Sequence, residues 1–233
     1  MSDTDNFQSE ILLSICVAIY NIKEEFLRTC IESITADMSA GAELILGDDC
    51  SNEKTAEVCR EYAEKNYRIR YVRPEKNGGV SYIRNVMINR AKGKMITFID
   101  GDDIAANGYS AALCSAFDSS DREYDIVMFK WQRFESIVPN IKIEDGKITA
   151  IPQSAAQRFS QACLTGAPPN AKDYGICDST PSSVCIKAYR REFLIENNLK
   201  FKVGLKKSQD VEFNTRAFFV CKSLGYMARV LYL

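Results

Sequence analysis

The chain has 233 residues, 46% hydrophobic and 26% charged, with 30 basic against 31 acidic side chains and a net charge of -1. That length supports one large domain or two small ones with a self-sufficient core, and the charge balance supplies no broad field for nucleic acid or an acidic membrane. Histidine is absent, which removes Ser-His-Asp and Cys-His catalysis and every imidazole metal site and leaves acid–base chemistry to carboxylates. The nine cysteines contain no Cys-x-x-Cys pair, which argues against a thiolate zinc site. Cys16 and Cys30 fall inside apolar patterns, where free cysteine acts as a small hydrophobe. A reducing, cytoplasmic compartment is expected. The longest apolar run, "ILLSICVAIY", is about half the length of a membrane helix and has neither a basic lead-in nor a cleavage site.

In chain order, "LLSICVAIY" reads as a buried strand. "NIKEEFLRTCIESI" follows as a helix with Phe26, Leu27, Cys30, Ile31 and Ile34 on one face, and Asn21 with Glu24 suggests a capping pair at its start. "AELILGDD" is a second strand and "TAEVCREYAEK" a helix. "RIRYVRP" is a third strand ended by Pro74, and "SYIRNVMINRA" a helix with Ile83, Val86 and Met87 at core spacing. "KMITFID" is a fourth strand. Such alternation with buried strands implies an α/β fold, a mainly parallel sheet covered by helices on both faces.

After Asp103 the regularity weakens. "GYSAALCSAF" reads as a helix and "YDIVMFKWQRF" as a strand, while Asp145-Gly146 marks a tight hairpin turn. Pro152 to Ser183 is expected to hold a short helix and a mobile loop. "SVCIKAYRREFLIENN" reads as strand into helix and "DVEFNTRAFFVCKSLG" as a last helix. The chain stops in the strand-like "RVLYL", so a C-terminal truncation is expected.

"MITFIDGDDI" sets a physical question. Two unit charges about 5 Å apart at an effective dielectric near 20 repel by roughly 3 kcal/mol, yet Asp100, Asp102 and Asp103 follow one apolar run. Ligands of open parallel sheets sit beyond the carboxyl ends of the strands. Here all four early strands end in polar or glycine-containing segments: Tyr20-Asn21, Asp48-Asp49-Cys50-Ser51, Asn77-Gly78-Gly79 and Asp100-Gly101-Asp102-Asp103.

Together these ends make the chain resemble glycosyltransferase family 2, whose members have the GT-A fold, a Rossmann-like sheet with a smaller acceptor-side region. The resemblance rests on "SICVAIYN", "LILGDDCSNEKT", "NGGVSYIRNVMINRAKGKMITFIDGDD", "SVCIKAYRREFLIENNLKF" and "SQDVEFNTRAF". It is strong from Ser14 to Asp103 and looser beyond. It implies an inverting enzyme that uses a nucleotide-diphosphate sugar, with UDP the expected nucleotide, and Mn²⁺ or Mg²⁺. By motif, Ala18 and Tyr20 would lie at the base pocket and Asp49 would accept from the base. Arg84 would approach the nucleotide, Asp100 would face the ribose and Asp102 would hold the metal. Asp210 matches the catalytic base. Residues 1–103 would form the nucleotide-sugar half, and 104–233 the half carrying the acceptor site and the base.

The implied acceptor is a bacterial surface glycan or a lipid-linked glycan, which entails peripheral work at the inner face of a membrane. Two positions depart from the family pattern. Cys50 stands where glycine is usual, which predicts a stiffer loop, and Gln209 replaces a glutamate before Asp210. Chemistry agrees with an ion as positive partner for the acidic cluster, since Mg²⁺ and Mn²⁺ take carboxylate, phosphate and water oxygens.

Each residue also has a plainer reading. Asp210 suits a helix N-cap, Arg84 a surface arginine, Trp131 a core or half-buried position rather than a stacking platform for an acceptor sugar, and Lys206 and Lys207 solvent or else an anionic acceptor or the diphosphate. Two rival functions stand beside the transferase. One is a haloacid-dehalogenase-type phosphatase, disfavoured because its acidic motif belongs at the first strand. The other is a degenerate nucleotide-sugar-binding scaffold, against which the intact Asp102 and Asp210 speak.

Overall fold

The structure, a computed structural model, describes residues 10–133, 147–165 and 181–233. Its first half alternates β1 (Leu13–Ile19), α1 (Glu24–Thr35), β2 (Ala42–Asp48), α2 (Glu53–Lys65), β3 (Ile69–Val72), α3 (Val80–Arg90) and β4 (Met95–Asp100). The second half holds α4 (Tyr109–Asp118), β5 (Ile126–Trp131), β6 (Ile148–Ile151), α5 (Gln153–Thr165), β7 (Lys187–Arg190), α6 (Arg191–Glu196), α7 (Gln209–Val220) and β8 (Leu224–Tyr232). The Asp145-Gly146 turn and the loop expected before Ser183 fall largely outside the described residues.

All eight strands join one sheet in the order β3-β2-β1-β4-β7-β5-β8-β6. The first four are parallel, as are β5 and β8, whereas β7 is antiparallel to both β4 and β5 and β6 is antiparallel to β8. Strands buried on both faces need continuous apolar sequence. β1 and β2 meet that demand, with Leu13, Ile15, Val17, Leu44, Ile45 and Leu46 all in the core.

Local readings needed four corrections. The N-cap position of α1 is Lys23, which makes no side-chain cap hydrogen bond, and Asn21 is not its cap. Asn21 instead takes a left-handed φ of 52°, which asparagine tolerates well, and its Oδ1 accepts from the Asn52 amide and side chain at 2.7 and 2.9 Å. That bond ties the end of β1 to the start of α2. Phe26 is exposed, and only Leu27, Cys30, Ile31 and Ile34 face the core. In α3, Ile83, Met87 and Ile88 are buried, while Val86 stays half-buried. Trp131 lies at the end of β5 and is exposed, past the point where the sheet is covered.

The eight cysteines among the described residues are free, and seven of them are buried. Among the described residues no helix is long and apolar enough to cross a membrane.

Lys187 on β7 is buried; its ammonium donates to the Ser183 carbonyl and lies 5.7 Å from the centre of the Phe218 ring. Burial pushes its pKa down to about 8, only partly opposed by neighbours such as Asp210. Between that value and the ordinary 10.5 the unfolded chain holds a proton the folded chain has released, so this residue's contribution to stability rises with pH. In urea titrations stepped from pH 8 to 10.5, the parent should gain stability relative to Lys187→Met, other groups cancelling in the difference. A difference independent of pH would show that the buried amine does not titrate there.

Candidate active site

The chain winds outward from β1 through β2 to β3 and returns to set β4 on the other side of β1. Strand order therefore reverses at β1, the position where open parallel sheets form a ligand crevice. Register brings the strand ends level: Ala18 pairs with both Gly47 and Asp100, and Ile19 with Asp48. Beyond this edge lies a cleft of about 650 Å³, within the usual range for small-molecule sites. Ala18, Tyr20, Asp49, Arg84, Asp100, Asp102 and Asp210 all line it. Sequence reading had not named Ile22, Ser208 or Gln209 as cleft residues, and they line it too.

The paired aspartates after β2 divide their work. Asp48 is fully buried and accepts from the Ser51 amide at 2.7 Å, the Tyr71 hydroxyl at 2.6 Å and Arg73 Nη1 at 2.5 Å. Burial raises its pKa, but these hydrogen bonds outweigh burial and hold it below the usual carboxylate value. Asp49 points the other way. Its two carboxylate oxygens accept from the backbone amides of Gly78 and Gly79 at 2.9 and 2.7 Å, and Asn77 Nδ2 donates to its carbonyl at 2.8 Å. Asp49 thus clamps the Asn77-Gly78-Gly79 turn against the cleft, and each oxygen keeps a second acceptor site. Gly79 sits at φ 82°, a backbone state that glycine adopts without cost. Between the aspartates and α2, Cys50 sits at φ 61°, where an L-residue is strained, with its thiol directed at the Pro74 carbonyl 3.1 Å away. The demand for a left-handed backbone at this point accounts for the glycine usual there.

The acidic turn after β4 has three different solutions for its three charges. Asp100 accepts from Arg84 Nη2 at 2.9 Å. Asp103 is half-buried and accepts from the Tyr232 hydroxyl at the end of β8. Burial, together with the charges of Asp100 and Asp102, keeps its pKa above the ordinary value in spite of that bond. Asp102 is exposed, with no hydrogen bond or ion pair among the described residues. Beside the ion expected for this cluster the chain thus supplies a positive partner of its own: the Arg84 guanidinium pairs with Asp100, while Asp102 stays open to an ion.

Arg84 is not a surface residue. It is 3% exposed, and besides Asp100 it donates Nη1 to Asp210 at 2.5 Å. Its guanidinium carbon lies 5.3 Å from the Phe201 ring centre and 6.0 Å from that of Phe98. Burial lowers the pKa of Arg84, but Asp210 and Asp100 more than reverse this and keep the charge fixed. Asp210 stands in the first turn of α7 rather than at its cap, a place taken by Ser208 at φ 61°. Its second oxygen accepts from the Val184 amide at 3.2 Å. One arginine thus fastens the end of β4 to the start of α7. The next residue, Asn85, makes a second fastening, exchanging two 2.8 Å hydrogen bonds with the backbone of Phe201. Neither link has a local sequence signal.

The donor set suits a divalent cation of oxygen preference. No three cysteine or carboxylate side chains among the described residues converge to cage an ion unaided. Asp102, open and unpaired, matches a site made by one carboxylate and completed by ligand oxygens and water.

The profile of glycosyl transferase family 2 matches residues 14–167, which span β1 to α5 and most of the cleft. The chain belongs to this family. Among family relatives, the uncharacterized glycosyltransferase EpsJ of Bacillus subtilis (strain 168) is 28% identical over 223 residues, covering 95% of this chain and 60% of that protein. S. aureus TarS 1-349, solved in complex with UDP-GlcNAc, superposes with a TM-score of 0.71 at 21% identity over 95% of this chain and 57% of that one. GalNAc-T7, solved with UDP, GalNAc and Mn²⁺, gives 0.61 at 16% identity over 94% of this chain and 43% of that one. These structural likenesses establish the shared glycosyltransferase fold, and the chain spans about 60% of the length of its first relatives.

Proposed function

We propose that the cleft transfers a sugar, with inversion, from a UDP-sugar to a glycan or lipid-linked acceptor in bacterial surface polysaccharide synthesis. One observation carries this reading: residues from β1, the turn after β2, α3, β4 and α7 line a single cleft, with an open carboxylate, Asp102, and a second carboxylate, Asp210, both on its wall. The ligands of the structural neighbours, UDP-GlcNAc for TarS and UDP with Mn²⁺ for GalNAc-T7, support the nucleotide. Residues 1–103 hold the donor in this reading, and 104–233 supply the acceptor side and the base.

Tyr20, half-exposed at the cleft, offers its ring to the nucleotide base beside Ala18, and Asp49 offers its remaining acceptor sites to the base N–H. Asp100, held still by Arg84, faces the ribose. Asp102 would hold Mn²⁺ or Mg²⁺, which when bound offsets the charge that builds on the departing diphosphate. The α3 N-terminus opens on the cleft with no side-chain cap, so its first amides and dipole also favour that diphosphate. Asp210 accepts the proton of the acceptor hydroxyl as its oxygen bonds to the anomeric carbon and the bond from that carbon to phosphate breaks. Arg84 and the Val184 amide orient Asp210 for this, leaving free lone pairs for the proton.

Thermal unfolding with UDP, GDP or dTDP, each with and without Mn²⁺, tests the reading. UDP with Mn²⁺ at about 100 times its dissociation constant should stabilise by roughly 2.7 kcal/mol, a rise on the order of 5–10 °C for a chain of this size. Asp102→Asn should lose the metal-dependent part of that rise. A parent that responds to no nucleotide would instead favour a degenerate scaffold of the same fold.

A further inference from the structure

Between α6 and α7 the chain passes the cleft in a segment, residues 197–208, that carries Lys200, Lys202, Lys206 and Lys207 and no acidic side chain. All four lysines are exposed, and none forms an ion pair among the described residues. The segment itself is firmly held. Leu199 and Phe201 are buried, and the Phe201 ring stacks on Phe213 at 4.0 Å. Asn85 bonds both backbone groups of Phe201, Arg216 Nη2 donates to the Lys200 carbonyl at 2.6 Å, and Gln209 Nε2 donates to the Leu205 carbonyl at 2.8 Å. The apolar side chains turn inward and the charges outward, so the backbone displays a fixed basic strip.

The strip has a definite relation to the cleft. Ser208, Gln209 and Asp210 line its wall, and Lys207 directly precedes them in the chain. None of the four lysines lines the cleft itself, so they do not grip a donor diphosphate seated within. Lys206 and Lys207 adjoin its lining in the chain, on the side of the carboxylate read above as the base. In a chain of net charge -1, four uncompensated positive charges in one short segment form a strong local field, felt over a Debye length of about 8 Å at physiological salt.

We propose that this strip guides the acceptor, and that the acceptor is a polyanion carrying phosphate groups along its chain. The inference rests on the transferase reading of the cleft and gives its acceptor a chemical class. Lysine meets phosphate as a point charge, without the planar two-pronged grip by which arginine fixes one group in one orientation. Flexible lysine ammoniums spread along a rigid backbone instead suit a series of charges that slides past them while its terminal hydroxyl reaches Asp210. A membrane surface fits less well, because only Val203 among the segment's apolar side chains of any size is strongly exposed.

The test compares the parent with two variants, Lys200→Gln/Lys202→Gln/Lys206→Gln/Lys207→Gln and Lys206→Glu/Lys207→Glu. Their binding to a poly(glycerol phosphate) oligomer, to uncharged dextran and to vesicles containing phosphatidylglycerol is measured at low and high salt. The parent should bind the phosphate oligomer in a salt-sensitive way, and both variants should bind it at least tenfold more weakly. Their response to UDP and Mn²⁺ should match the parent's. Equal oligomer binding by parent and variants overturns the inference, as does binding by the parent to vesicles alone or to none of the three. A parent that fails to respond to UDP while losing oligomer binding with the lysines would count against the donor reading and leave the anionic partner standing.

Discussion

Asp210→Asn should lower turnover by about 10²–10⁴-fold, the usual scale of general-base catalysis, while leaving stabilisation by UDP and Mn²⁺ close to that of the parent. The amide keeps the volume and an oxygen to accept from the Val184 N–H, so cleft shape survives. What it cannot do is take a proton at neutral pH. Steady-state rates with saturating donor, beside nucleotide-induced thermal shifts on the same preparations, separate the two effects. Because the substitution also removes one of the two ion pairs of Arg84, the rates are compared well below either unfolding temperature. A variant as active as the parent would take Asp210 out of the chemistry and leave it an anchor of α7.

The largest stability effect is expected from the ion-pair network, and it is asymmetric. The Arg84 side chain is 4% exposed, whereas those of Asp100 and Asp210 are 44% and 29% exposed. Asp100→Asn with Asp210→Asn strands a buried guanidinium without counter-charge, a loss of about 3–5 kcal/mol, roughly 10 °C for a chain of this length. Arg84→Met alone leaves two carboxylates that water already reaches and should cost less, about 1–2 kcal/mol by the same reasoning on desolvation. Adding Arg84→Met to the double variant should restore most of the loss, because the thioether packs against Phe98 and Phe201 where the guanidinium lay. Urea unfolding of the four proteins gives the ranking. A double variant that unfolds at the parent's midpoint would show that the network contributes no stability.

Much of this was legible in the chain. β1 to β4 and α1 to α3 follow from apolar runs alternating with helical stripes, both set by neighbours a few positions apart. The four polar strand ends followed at once, whereas the cleft residues from Ala18 to Asp102 were named through the family resemblance. Asn21 misled because its spacing to Glu24 matches a cap, while its partner turned out to be Asn52, on α2. Arg84 misled for a related reason: one arginine on a helix looks alike whether it meets solvent or a cavity of opposite charge. Its partner Asp210 lies 126 positions away.

The sequence alone determined the elements of the first half, the parallel character of its sheet, and which polar segments end its strands, because hydrophobic period and strand–helix alternation are set locally. Tertiary structure decided the rest. It inserted β7 antiparallel between β4 and β5, brought α7 to the cleft, and placed the Arg84 guanidinium against Asp100. Those outcomes depend on burial and on charges meeting across more than a hundred residues of chain, where the balance of desolvation against pairing exists only once both partners are in place.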